Sequence, residues 1–201
     1  SAMAKSRNKK MFRHMKGEAQ NATRQLAKER GACPDGISAG VRNAHLLAVA
    51  PNASSSIICG NTSPSIEPYR ANAFTQKTKS GSSLLKNEYL EHILQELGQD
   101  TDDIWKSIIT KGGSIQHLDF LDEWTKEVFK TAVEIDQRWI IEMAADRQED
   151  ICQSQSLNIF FPSNVSKQEL HAIHMMAWKK KVKTLYYLRS EAIKRAETVS
   201  D

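Results

Sequence analysis

Two stretches of this sequence carry residue types whose spacing could do chemistry. The first is Ala50-Pro-Asn-Ala-Ser-Ser-Ser56, where an apolar run stops at a proline and gives way to small polar residues. Asn52 to Ser56 read as the start of a helix running into Ile57 and Ile58. The first amides of a helix have no intrahelical acceptor, and the macrodipole favours negative charge there. Asn52, Ala53, Ser54, Ser55 and Ser56 could therefore seat an anion such as a phosphate. The simpler reading is an ordinary N-cap made of serines. The second stretch is the adjacent pair Tyr186 and Tyr187. Neighbours in a strand point to opposite faces, so one ring could be buried while the other reaches a cleft. Two core aromatics are the plainer explanation, because tyrosine belongs in half-buried strands.

Other chemistry-bearing residues are weaker. His171 and His174 stand at i and i+3 of one helix, as metal ligands can, but no neighbouring acid or thiol completes a set. Cys33, Cys59 and Cys152 are odd in number and widely spaced, and read as small reduced core residues. No Walker or dinucleotide glycine motif is present, nor a nucleophile elbow.

The elements that must position these residues follow from periodicity. The chain has 201 residues and an apolar share of 40%, which suits one domain or a piece of a larger one. It has no apolar run long enough for a membrane span. Residues 1–8 read as a tag remnant and flexible start, without the apolar core of a signal peptide. The net charge of +4 is concentrated in Lys5 to Lys16 and Trp178 to Lys183, which suit solvated helix faces or contacts to nucleic acid or phosphate. A polar helix is expected over Lys9 to Arg30, burying a stripe of Met11, Met15, Ala19, Ala22, Leu26 and Ala27. A glycine-rich loop to Gly40 precedes a buried strand, Leu46 to Ala50. Ala71 to Lys79 and Ser82 to Lys86 suggest a hairpin around Ser80 and Gly81.

Helices are expected from Asn87 to Gly98, Asp102 to Thr110, Leu118 to Phe129 and Asp136 to Asp150. A strand from Leu157 to Phe161 ends at Pro162. Ser166-Lys-Gln-Glu169 is a capping box, and its helix should bury Leu170, Ile173, His174, Ala177 and Trp178. Thr184 to Arg189 reads as the last strand, before a charged tail over 190–201. Strands alternating with helices predict an α/β fold.

Taken together, Gly40-Val-Arg-Asn43, Ala50-Pro-Asn-Ala-Ser-Ser-Ser56, Gly60-Asn-Thr-Ser-Pro-Ser-Ile-Glu-Pro68, Gln153-Ser-Gln-Ser-Leu-Asn158 and Lys183-Thr-Leu-Tyr-Tyr-Leu-Arg189 resemble the C-terminal part of the class I ribonucleotide reductase large, catalytic subunit. The phage-type members look closest, and the resemblance runs from about Met11 to Glu197. It implies the C-terminal portion of a ten-stranded α/β barrel with additional helices, incomplete on its own and covering residues 9–189. It also implies that Asn52 to Ser56 hold the phosphates of a ribonucleoside diphosphate. Tyr186 and Tyr187 would relay an oxidising equivalent from a small subunit with a di-iron tyrosyl radical.

The same resemblance implies an enzyme reducing ribonucleotides to deoxyribonucleotides in the cytoplasm, or in a host cytoplasm if phage-encoded. Thioredoxin or glutaredoxin would be the reductant of the complete enzyme. No cofactor or metal is expected on this chain. Partners would be the N-terminal part of the large subunit and the small radical-generating subunit, with no membrane and no nucleic acid. The family's thiyl-radical cysteine, its asparagine and glutamate, and its reducing cysteines match nothing here. A natural split-gene product or a truncation, inactive alone, is therefore expected. The competing reading is a noncatalytic binding or assembly protein derived from the reductase fold.

Overall fold

The computed structural model describes residues 2–60, 62–78 and 81–190, with only the backbone at 53, 54, 77 and 78. The expected tail over 190–201 lies, from 191 onward, outside the described residues, as do Lys79 and Ser80 of the expected turn. The chain divides into two compact units, Ser1–Pro51 with Gln137–Asp201, and Asn52–Asp136.

The first unit opens with helix α1, Ala2–Arg30, which begins seven residues before the expected start. Its inward face is the expected one only in part, at half-buried Ala19, Leu26 and Ala27. Met11 and Met15 are 60% and 44% exposed, whereas Thr23 is buried and Lys5, Asn8, Phe12 and Lys16 are half-buried. The reason is electrostatic pairing with helix α6, Gln137–Gln148. Lys5 Nζ meets Glu142 at 3.0 Å, Lys9 meets Asp146 at 3.2 Å and Lys16 meets Asp150 at 3.3 Å. Asn8 donates to the Met143 carbonyl at 2.9 Å, and the Arg147 guanidinium sits over the Phe12 ring. A charged stripe facing an acidic one outranks a methionine stripe with nothing to cover it, although each pair contributes only about 0–1 kcal/mol.

Three segments of this unit run parallel. Val49 bridges Gln155, and strand β3, Ile159–Phe161, pairs with strand β4, Leu188–Ser190, in the register Ile159 to Leu188. The expected strand Leu46 to Ala50 is thus reduced to one bridge flanked by bonds such as Gln153 N–H to the Leu47 carbonyl, 3.1 Å. Nor is it buried: Leu46, Leu47 and Val49 are half-buried, and Ala48 and Ala50 exposed. β3 is buried throughout and packs with Ile141 and Ala144 of α6 and with Ile173 and Ala177 of helix α7, Lys167–Lys179.

At the start of α7 the Ser166 hydroxyl accepts the Glu169 amide at 3.0 Å, which is the serine half of the expected capping box. The buried face is Leu170, Ile173, Met176 and Ala177. His174 and Trp178 lie off it, Trp178 being 72% exposed.

The second unit holds short helix α2, Ala53–Ile58, the antiparallel hairpin β1, Ala73–Thr78, with β2, Gly81–Lys86, and helices α3, Glu88–Glu96, α4, Asp102–Thr110, and α5, Glu123–Val128. Leu90, Leu94, Trp105, Ile108, Ile115 and Phe129 form its core. Buried Asn72 ties the unit together: its Nδ2 donates to the carbonyls of Phe129 at 2.8 Å and Gly113 at 3.0 Å, and its Oδ1 accepts from Asn87 at 3.1 Å. The helix expected over Leu118 to Phe129 begins only at Glu123. The Asp122 carboxylate accepts the Thr125 amide at 2.7 Å and fixes the helix start there. Leu118 and Leu121 reach the core from turns instead.

Candidate functional site

The serine stretch folds as its residue types dictate. Pro51 has no amide to donate, and Asn52 occupies the N-cap of α2 with φ −80° and ψ 57°. The cap is therefore asparagine rather than serine, and its side chain makes no capping hydrogen bond. The Ser56 amide reaches the Asn52 carbonyl at 3.4 Å, as the first turn requires. Asn52 and Ser55 are exposed and Ser56 is buried at 7%. The side chains of Ala53 and Ser54 lie outside the described residues. Helix geometry leaves the leading amides without intrahelical acceptors, and nothing of Asn52 covers them.

In the other unit, the tyrosines are not disposed on opposite faces. Their ring centroids lie 4.1 Å apart with planes inclined at 52°, and the side chains are 52% and 50% exposed. Both expectations, one ring buried or two core aromatics, are corrected. The backbone explains the geometry. Tyr186 N–H donates to the Leu157 carbonyl at 2.8 Å, and the Tyr187 carbonyl accepts from Ile159 at 3.0 Å. In a regular parallel ladder one residue makes both bonds; here two residues share the place, so the chain bulges and the alternation of side chains is lost. The Tyr187 amide donates instead to Asn158 Oδ1 at 2.8 Å.

The Arg189 guanidinium stands 5.1 Å from the Tyr187 ring centroid. The Tyr187 phenol, as hydrogen-bond partner, raises the Tyr186 pKa above the ordinary tyrosine value, as do its charge and burial, against a smaller opposite effect of Arg189.

A buried polar network supports this strand pair from behind. Arg147, 3% exposed, donates through Nε to Gln155 Oε1 at 2.6 Å. Gln155 Nε2 donates to the Ala144 carbonyl and to Gln148 Oε1, each at 3.0 Å. Burial pushes the Arg147 pKa down to about 10, against the opposing charge of Asp146. Thr184 Oγ1 donates to the Gln155 carbonyl at 3.0 Å, and Lys183 Nζ to the carbonyls of Cys152 at 2.7 Å and Gln153 at 3.1 Å. The segment that leads into the tyrosines is thus tied to the segment that leads into β3.

A cavity of ≈ 780 Å³ opens between these segments, with Val49, Cys152, Ser156, Lys183 and Tyr186 in its lining. Cys152 was expected in the core but is exposed, as is Cys59, while Cys33 is half-buried. Burial raises the Cys152 pKa, yet the amides of Leu47, Leu46, Cys152 and Gln153 outweigh it and leave it lowered. His171 and His174 are both exposed, and a His174 ring nitrogen lies 2.7 Å from the Leu170 carbonyl. Among the described residues no cluster of three or more His, Cys, Asp or Glu could hold a metal, and no helix is long and apolar enough to cross a membrane.

Sequence reasoning did not single out Asn158, Arg189 or Gln155. Asn158 and Gln155 lie inside the Gln153 to Asn158 motif, and fully buried polar side chains are the signal that spacing alone does not carry.

Three parallel segments backed by helices define an α/β protein. Residues 35–188 match the family model described as ribonucleotide reductase, barrel domain. The chain is 48% identical over 194 residues to the ribonucleoside-diphosphate reductase large subunit of Invertebrate iridescent virus 6, covering 94% of this chain and 20% of that protein. It is 44% identical over 195 residues to that of Invertebrate iridescent virus 3, covering 96% and 31%. Among solved structures, the Actinobacillus ureae class Id ribonucleotide reductase alpha subunit superimposes with a TM-score of 0.87 at 38% identity, over 96% of this chain and 35% of that one. The chain belongs to the ribonucleotide reductase barrel-domain family, on the large-subunit side. It spans a third or less of the length of the curated relatives it matches.

Proposed function

We propose that this chain is the C-terminal part of a ribonucleoside-diphosphate reductase large subunit, and that it acts within a complex which reduces ribonucleotides to deoxyribonucleotides. Family membership supports the reaction class, and the contact between Tyr186 and Tyr187 carries the residue-level reading. In that reading the two phenols relay one oxidising equivalent. An electron and a proton leave Tyr186 for the Tyr187 phenoxyl, or the reverse, so that one ring is reduced to phenol as the other becomes a phenoxyl. Moving the proton with the electron avoids building a charge on the rings, and rings in contact make the transfer short.

The start of α2 is the substrate's phosphate seat. Ser54 and Ser55 donate hydroxyl hydrogen bonds, and the amides from Ala53 onward donate to phosphate oxygens at the positive end of the helix. Asn52 and Ser56 border the same turn. The partners are the N-terminal part of the large subunit, a small radical-generating subunit carrying a di-iron tyrosyl radical, and a ribonucleoside diphosphate. Thioredoxin or glutaredoxin reduces the complete enzyme.

Mixing the chain with the N-terminal part and the small subunit should restore conversion of ribonucleoside diphosphates to deoxyribonucleoside diphosphates. Turnover by this polypeptide alone would overturn the fragment reading. Failure of the full mixture, with all parts folded, would overturn the enzymatic one.

A further inference from the structure

The bulge at the tyrosine pair needs an acceptor that a regular ladder would not need. Between the Leu157 carbonyl and the Ile159 amide, the opposite segment spends two residues, Tyr186 and Tyr187, where one would suffice. That leaves the Tyr187 amide pointing at the partner segment with no ladder carbonyl to receive it. An amide left unpaired in such a place destabilises the fold, because it has given up water without gaining a partner. The Oδ1 of Asn158 accepts it at 2.8 Å, from a residue only 2% exposed and standing directly between the two ladder bonds.

From this geometry we infer that Asn158 is the positioning residue of the tyrosine pair, a role that rests on the radical-relay reading above. Its side chain substitutes for the missing ladder acceptor and makes the bulged conformation the satisfied one. Without the bulge, strand alternation would send the two rings to opposite faces and part them. Asn158 acts through the Tyr187 backbone amide. The neighbouring Arg189, over the Tyr187 ring at 5.1 Å, holds the other end of the same residue. The inferred chain of cause runs from a buried amide side chain, to an extra residue in a strand, to two phenols in contact.

The test uses the chain assembled with the remainder of the large subunit and the small subunit. Placing 3-fluorotyrosine at position 187 gives a fluorine signal that reports the ring's surroundings. Asn158→Ala should shift that signal and lower kcat by about a hundredfold while leaving substrate KM unchanged, because a displacement of ångström size at a reacting pair costs that much. Asn158→Asp keeps an acceptor oxygen in place and should restore the signal position and part of the rate. An unshifted signal with unchanged kcat in Asn158→Ala would overturn the inference.

If Asn158→Ala does not fold, hydrogen exchange in the unaltered protein decides instead. A slowly exchanging Tyr187 amide supports the bond, and a freely exchanging one refutes it. The relay reading fails separately, if Tyr187→Phe turns over normally; the fluorine shift then still reports whether Asn158 positions the ring.

Discussion

Tyr186 and Tyr187 are sequence neighbours in an extended segment, yet their rings touch, with centroids 4.1 Å apart. Each phenol is expected to be needed. Tyr186→Phe or Tyr187→Phe should abolish turnover in the assembled enzyme and leave nucleotide binding nearly intact, read as product formation against equilibrium binding. Tyr186 is held above the ordinary value of 10.0 first by the Tyr187 phenol. It therefore keeps its proton across the neutral range, and its ionisation should set no alkaline loss of activity below that pH.

The start of α2 makes a separate prediction. Replacing Ser54 and Ser55 together by Ala should weaken ribonucleoside diphosphate binding by about tenfold or more, the equivalent of one or two hydrogen bonds to a charged group. Nucleotide titration of the assembled enzyme by calorimetry measures it. A nucleoside lacking phosphate should bind both forms alike.

Glu142 makes the first unit sensitive to acid. Its Oε1 lies 2.6 Å from Lys180 Nζ and its Oε2 3.0 Å from Lys5 Nζ, and these two bonds, Lys180 first, hold its pKa below the ordinary 4.5. A carboxylate harder to protonate in the fold than in the unfolded chain contributes its stability fully above the unfolded value. That contribution fades as pH falls through the lowered one. Amide spectra of α1 should change in that acidic window, and Glu142→Gln should loosen α1 at neutral pH.

Asn72 holds the second unit. Asn72→Ala would strand the buried Phe129 carbonyl and the Asn87 amide group at once, while the Gly113 carbonyl keeps the backbone amide of residue 72. The expected loss is about 3 kcal/mol, read as a lower denaturant midpoint.

Helix existence, the hairpin and the helix start at Asn52 to Ser56 were legible from the sequence, because periodicity, capping residues and proline act locally. α4 falls on its expected bounds, and α3 starts where Asn87 caps it. The hairpin forms where it was expected, with its register running from Ala73 opposite Lys86 to Thr78 opposite Gly81, so that Gly81 belongs to the strand rather than the turn. The family was legible too, because five separated motifs keep their order along one chain.

What α1 buries was decided by tertiary structure, since lysines at that spacing become an inward face only when Glu142, Asp146 and Asp150 lie opposite. The incomplete burial of Leu46 to Ala50 was decided in the same way, by how few neighbouring strands it meets. The placing of the tyrosines was the largest such decision. Sequence alone supplies two phenols in a row and a period of two that separates them. One extra residue in the ladder, accommodated by the side chain of Asn158 from a distant part of the chain, brings them together.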